Sequence, residues 1–220
     1  MPIETDPQLL TYQNQTFQWR PAQTEPARLL ILLQGWTGDE NSMWVFTRHL
    51  SPNYSILAPR APYVAPEGGY SWRKLKPGTW GLPSFEDFRP AAESLQIFLS
   101  RWLNSIGADS QQFDLMGFSQ GAAMAYTFAL LHPDRIHALA ALSGFLPEGV
   151  ENNLKDRPLT GKSIFVSHGR QDDMIPIERA RISVAMLKES DARVTYCESD
   201  TGHRVGKDCL RAMEEFFGGN

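Results

Sequence analysis

The sequence has few of the features that mark membrane, secreted or nucleic-acid-binding proteins. No run approaches the ~18–20 consecutive apolar residues that a membrane-spanning helix needs. Residues 1–7 contain neither the basic nor the apolar segment of a secretion signal. The net charge is −4 and the basic residues form no stripe, so nothing favours nucleic acid or an anionic membrane as a partner. We therefore expect a cytoplasmic protein.

Cysteine is also scarce, since the chain has only Cys197 and Cys209. Two cysteines are too few for the disulfide scaffold of a small secreted domain. Cys197 falls in a predicted strand and Cys209 in a predicted helix, where a thiol serves as a small apolar side chain. We expect both to be reduced and structural.

The length of 220 residues and the hydrophobic content of 42% fit one domain, residues 1–220, with a sizeable core. Short apolar runs alternate with helical stretches, which predicts βα units and a mostly parallel sheet in an α/β fold. The predicted strands are residues 29–33, 54–58, 113–116, 137–143, 163–168 and 193–198. The predicted helices are residues 88–104, 119–131, 177–189 and 205–217.

Two regions differ from this pattern. Residues 9–12 and 16–19 predict an antiparallel hairpin at the edge of the sheet. Residues 60–89 are rich in proline and aromatic side chains and show no period. A long irregular segment inside a compact domain is usually functional or disordered, and its aromatic content argues against disorder. We expect a loop or lid over a functional site.

Ser119 lies in the pentapeptide Gly-Phe-Ser-Gln-Gly, directly after an apolar run and directly before a nearly all-apolar helix. A serine on a sharp strand-to-helix turn, with a glycine two residues to either side, is the nucleophile elbow of α/β-hydrolases. The glycines allow neighbouring backbone to pass close to a strained residue. Ser119 is therefore the predicted nucleophile.

A serine hydroxyl needs a base within hydrogen-bonding distance and an acid that orients that base, and in these folds the chain order is serine, acid, histidine. His49, His132 and His137 come too early for that order, and His168 precedes the candidate acids. His203 lies between the last predicted strand and the last predicted helix. It is therefore the predicted base.

The candidate acids follow the predicted strand 163–168, at the carboxyl edge where active sites of open α/β sheets lie. Asp172 and Asp173 are equally suitable by spacing alone. Asp200 is a third candidate, but its position near His203 favours a turn. The residues alone therefore leave the choice of acid open.

Stabilising a developing oxyanion requires backbone N–H donors. The amide of Gln120 follows the nucleophile at the start of the predicted helix, where the helix dipole adds to it. The second donor is expected in the glycine-containing loop after the first predicted parallel strand, residues 34–40, with the amide of Trp36 as the natural candidate.

Taken together, these motifs resemble the phospholipase/carboxylesterase family of α/β-hydrolases, which contains acyl-protein thioesterase-like serine esterases. The resemblance covers most of the chain from about Arg28 onward. It implies an α/β-hydrolase fold and selects Asp172, the fifth residue of the His-Gly-x-x-Asp motif, over Asp173. One position departs from the family pattern, because Gln34 occupies the place of a histidine before the glycine of the oxyanion loop. The matching segments are Leu33-x-Gly35, residues 117–121, 142–147 and 168–172, Ile175-Pro176 and Gly202-His203.

The resemblance implies hydrolysis of carboxylic esters or thioesters through an acyl-enzyme, on a small-molecule or acylated substrate and without a metal or organic cofactor. We predict an apolar wall for the substrate from Trp72, Phe145, Met174 and Ile175. Two alternatives are a non-catalytic small-molecule receptor and an acyltransferase that passes the acyl group to an alcohol. The sequence leaves open the length of the acyl chain and the oligomeric state.

Overall fold

The computed structural model describes residues 6–75, 83–108 and 111–219. Its centre is an eight-stranded sheet with the strand order β1-β2-β4-β3-β7-β8-β9-β10. The strands are β1 (Gln8–Tyr12), β2 (Gln15–Arg20), β3 (Arg28–Leu33), β4 (Tyr54–Pro59), β5 (Tyr63–Val64), β6 (Tyr70–Ser71), β7 (Phe113–Phe118), β8 (Ile136–Leu142), β9 (Ser163–Gly169) and β10 (Arg193–Ser199). The helices are α1 (Phe85–Ser105), α2 (Gln120–Leu131), α3 (Glu151–Lys155), α4 (Ile177–Glu189) and α5 (Lys207–Gly218).

The pairing is parallel from β4 through β10, and β2 joins β4 antiparallel. Strands β1 and β2 form the predicted antiparallel edge hairpin. All six predicted parallel strands are confirmed. Short apolar runs between turn residues suit strands that are covered on both faces, which explains why the sequence pattern located them well.

Helices cover both faces of the sheet. Side chains alternate along a strand, so Leu29 and Ile31 of β3 pack in the cluster that contains α1, α2 and α4. Leu30 points to the other face and packs with Met213 and Phe217 of α5. Helix α2 is buried almost all round, as its nearly all-apolar sequence predicts. These features confirm an α/β-hydrolase fold.

The segment 60–89 is less irregular than predicted. Strands β5 and β6 pair as a short hairpin, and α1 begins at Phe85, within the predicted loop. The early start has a clear local cause, because the Ser84 side chain caps the helix and Asp87 caps in return. Residues 76–82, which the predicted lid also includes, lie outside the described residues.

The prediction of two reduced cysteines is wrong, because Cys197 and Cys209 form a disulfide. Helix α5 packs back against β10, which brings the two Cα atoms to 5.6 Å although the residues lie 12 positions apart. The bridge closes the loop that joins β10 to α5. A count of two cysteines could not reveal this, since the pairing depends on how the last helix folds back.

A cluster of polar side chains around the buried Asp114 lies at the amino-terminal edge of the parallel strands. The Asp114 carboxylate on β7 accepts hydrogen bonds from Arg28 Nη2 at 2.7 Å and the Tyr54 hydroxyl at 2.6 Å. His137 Nδ1 lies 2.9 Å from its other oxygen. Burial raises the pKa of Tyr54, which keeps its hydroxyl a donor. The cluster links β3, β4, β7 and β8 at their starts.

Among the helices that the structure describes, none is long and apolar enough to cross a membrane.

Candidate active site

Ser119 lies at the turn between β7 and α2, with φ 55° and ψ −118°. A positive φ is costly for a residue with a side chain, so the turn depends on its surroundings. A Cβ on Gly117 would lie 2.2 Å from the carbonyl oxygen of Gly121, and one on Gly121 would lie 2.0 Å from that of Leu33. Glycine is therefore required at both flanks of the serine. The pentapeptide thus has the geometry of a nucleophile elbow.

The structure brings Ser119, His203 and Asp172 together from three separate loops. Asp172 follows β9, and His203 lies between β10 and α5. His203 Nδ1 lies 2.7 Å from Asp172 Oδ2, and His203 Nε2 lies 2.9 Å from Ser119 Oγ. Because a carboxylate only accepts, Nδ1 carries the proton and Nε2 accepts from the serine hydroxyl.

The Asp172 carboxylate is held in place from its other side. Its Oδ1 accepts hydrogen bonds from the amides of Met174 at 3.0 Å and Ile175 at 2.9 Å, and the side chain is fully buried. Asp173 is exposed. Asp200 is exposed too, and its Oδ1 accepts from Arg170 at 2.7 Å. Of the three candidate acids, Asp172 is the one in contact with His203.

His168 is a buried neighbour of this arrangement. Its Nε2 lies 2.8 Å from the carbonyl oxygen of Ile175, which can only accept, so this nitrogen carries a proton. Desolvation lowers the pKa of His168 and keeps the ring neutral. The neutral ring helps to pack the Asp172 loop. His49 is exposed, as expected of a histidine outside the site.

The loop after β3 is fixed by the Gln34 side chain. Gln34 is 1% exposed, and its Nε2 donates to the carbonyl oxygen of Gly38 across the loop. Its backbone oxygen accepts from Trp72 Nε1 at 2.9 Å. The loop also pairs with β6, since the Thr37 amide donates to the Tyr70 oxygen at 3.0 Å. The Gln34 side chain therefore joins the start of this loop to Gly38.

The side chain of Gln120 joins the start of α2 to the β5–β6 hairpin. Its Oε1 accepts from the Trp72 amide at 2.8 Å, and its Nε2 donates to Ser71 Oγ at 3.1 Å. Trp72 is 2% exposed and lies behind the loop that carries Trp36. Trp72 thus supports that loop through its hydrogen bond to Gln34, whereas the sequence analysis predicted it in the substrate wall.

A cleft of about 270 Å³ opens beside Ser119. Three of the four predicted wall residues line it, namely Phe145, Met174 and Ile175. Other described lining residues were not predicted: Arg73, Leu75, Pro83 and Arg179. The sequence alone could have drawn attention to Arg179, because it falls in the first turn of a predicted helix, where a cation is unfavourable against the helix dipole.

Trp36 and Gln120, whose amides are the predicted oxyanion donors, line the same cleft as Ser119. Gln120 is the first residue of α2, so its amide is at the positive end of the helix. Within the described ranges, no group of three or more histidine, cysteine or acidic side chains is arranged to hold a metal ion.

The sequence and the fold are similar to those of known hydrolases. A sequence model of the phospholipase/carboxylesterase family matches residues 15–218. Acyl-protein thioesterase 1 of Kluyveromyces lactis is 28% identical over 179 residues, which covers 71% of this chain and 75% of the relative.

Two solved structures are similar in fold. The crystal structure of esterase PE8 has a TM-score of 0.77 at 25% identity and covers 91% of this chain and 96% of its own. A carboxylesterase from Mesorhizobium loti has a TM-score of 0.80 at 20% identity and covers 97% and 99%. The family match over residues 15–218 shows that the chain belongs to the phospholipase/carboxylesterase family of hydrolases.

Proposed function

We propose that this protein hydrolyses carboxylic esters or thioesters through a covalent acyl-enzyme formed on Ser119. The observation that carries the proposal is the continuous hydrogen-bonded path from Ser119 Oγ to His203 Nε2 at 2.9 Å and from His203 Nδ1 to Asp172 at 2.7 Å. A pure receptor has no physical need for such a path. Family membership supports the same reaction class.

In the first half of the reaction, Ser119 Oγ attacks the carbonyl carbon of the substrate. His203 Nε2 takes the serine proton as the bond forms. Asp172 stays ionised, keeps the imidazole in the correct tautomer and stabilises the imidazolium. The tetrahedral intermediate then collapses, the bond to the leaving group breaks, and His203 protonates the departing alcohol or thiol.

In the second half, water attacks the acyl carbon and gives its proton to His203. Collapse of the second intermediate breaks the bond to Ser119, which takes back that proton as the free acid departs. The amides of Trp36 and Gln120 bind the oxyanion in both intermediates. Loss of one such donor typically raises the barrier by about 2.7–4 kcal/mol. Gln34 fixes the loop that carries the Trp36 amide, and it therefore supports the rate indirectly.

The test is turnover of p-nitrophenyl acetate and butyrate by Ser119→Ala. The expected loss in kcat is on the order of 10⁴- to 10⁶-fold, because serine and histidine act as a unit. The matched control is Ser100→Ala, the same change on the exposed side of α1, which should keep full activity. Wild-type turnover in folded Ser119→Ala would overturn the assigned nucleophile.

A further inference from the structure

Two of the described residues that line the cleft beside Ser119 are cations, Arg73 and Arg179. Arg179 lies with its guanidinium 3.7 Å from the centre of the Phe145 ring, in a cation–π contact that holds it against the wall. Arg73 follows β6, is 3% exposed and lines the same cleft. Among the described residues that line the cleft, none carries a carboxylate. A guanidinium stays charged at every ordinary pH, so these two arginines give the cleft positive charge.

The surrounding backbone adds to this positive potential. Helix α2 begins at Gln120 and helix α4 begins at Ile177, so two amino-terminal helix ends lie beside the cleft. Arg179 is in the first turn of α4, where a cation opposes the helix dipole.

Two acidic side chains outside the cleft attract these arginines and favour their charged form. Asp87, in the first turn of α1, attracts Arg73, and its carboxylate also accepts a hydrogen bond from the Ser84 amide. Glu148, which is exposed, attracts Arg179. Desolvation is still the larger effect and lowers the pKa of both arginines. A buried cation gains more from an anionic ligand than a solvated one does, because the local dielectric is lower.

The position of the cleft relative to His203 indicates which half of the substrate occupies it. His203 protonates the leaving group, so the leaving group lies on the histidine side of Ser119. Ser119 and Gln120 line the cleft, whereas His203 is not among its described lining residues. The cleft is therefore on the acyl side. Its volume of about 270 Å³ is just below the usual range of ligand pockets, roughly 300–1,000 Å³.

We propose that the preferred substrates carry a carboxylate at the far end of a short acyl chain, and that Arg73 and Arg179 bind this carboxylate. The inference rests on the proposed function and adds a substrate class to it, namely half-esters or half-thioesters of short dicarboxylic acids. The planar guanidinium matches a carboxylate through paired N–H donors. The apolar wall formed by Phe145 and Ile175 contacts the methylene groups between the two ends.

The test compares two esters that differ only in charge, monoethyl glutarate and ethyl 4-carbamoylbutanoate, with release of ethanol measured near neutral pH. We expect wild-type kcat/KM to be about 10- to 100-fold higher for the carboxylate, because charge-assisted hydrogen bonds are the strong ones. A third ester, ethyl 4-phosphonobutanoate, separates carboxylate from phosphate-type recognition. A higher kcat/KM for the phosphonate than for the carboxylate would overturn the carboxylate assignment.

The variant Arg179→Gln should lower the preference for the carboxylate at least about tenfold and change kcat/KM for the carbamoyl ester less than about threefold. The matched control is Arg181→Gln, two residues along α4, whose guanidinium binds Glu198 on the surface at 2.9 Å. It should leave both values unchanged. Arg73→Gln, assayed after its fold is checked by circular dichroism, should behave like Arg179→Gln.

The outcomes distinguish this inference from the proposed function. Hydrolysis of the carbamoyl ester at least as fast as the carboxylate by the wild type would overturn the carboxylate specificity and leave the esterase proposal in place. A preference that survives Arg179→Gln unchanged would also overturn it. Failure to hydrolyse any ester, together with failure to label Ser119, would overturn the esterase proposal itself.

Discussion

Reduction of the Cys197–Cys209 disulfide should lower the melting temperature by a measurable and calculable amount. The bridge spans 12 residues, the length of the loop from β10 into α5. For a loop of this size the chain-entropy model gives about 3 kcal/mol of stability. For a chain of about 220 residues, 1 kcal/mol corresponds to roughly 2–4 °C, so the expected decrease is about 6–12 °C.

The assay is a thermal melt by circular dichroism with and without a phosphine reductant, with intact mass used to verify complete reduction. The control is the double variant Cys197→Ser/Cys209→Ser, which should melt near the reduced wild type and be indifferent to the reductant. His203 lies inside the bridged loop, so the same samples also report whether the bridge supports activity. An unchanged melting temperature in fully reduced protein would contradict this prediction, since it would mean that the bridge does not restrict the unfolded chain.

Three further predictions concern single positions. Asp172→Asn should lower kcat by about 10³- to 10⁴-fold because the histidine tautomer is lost, while Asp173→Asn keeps it within a few-fold; steady-state kinetics that rank them the other way would reassign the acid. Gly121→Ala should give insoluble or inactive protein, because the new Cβ would lie 2.0 Å from the Leu33 oxygen, and a soluble, active variant would contradict the close approach. Asp114→Asn should cost about 3 kcal/mol in urea unfolding because Arg28 and the buried Tyr54 lose the carboxylate that they share, and a cost below about 1 kcal/mol would show that the cluster contributes little.

The fold could be predicted from the sequence because buried parallel strands are short apolar runs with clear boundaries. The elbow was predictable for a related reason. Gly117 and Gly121 are needed because neighbouring backbone lies too close for a side chain at either position, and both glycines are visible in the pentapeptide around Ser119. The meeting of Ser119 and His203 with an acid after β9 followed from positions at the carboxyl ends of three parallel strands, whereas the choice of Asp172 over Asp173 came from the family resemblance.

Other features depend on tertiary contacts that carry no local pattern. The sequence suggested Trp72 for the substrate wall because it is large and apolar, but its indole N–H bonds to Gln34 behind the loop. The cysteine pair depends on how α5 packs on β10. The arginines of the cleft are far apart in sequence. Of the two, only Arg179 has an unusual local position, because it is a cation in the first turn of α4.

The most direct test of Ser119 as the nucleophile is peptide mapping after treatment with a fluorophosphonate. This reagent forms a stable adduct with an activated serine hydroxyl. We expect a single adduct on the peptide that contains Ser119, lost in Ser119→Ala and greatly slowed in His203→Ala. An adduct on any other residue, or an unmodified Ser119 in protein that turns over esters, would contradict the assignment of Ser119 as the nucleophile.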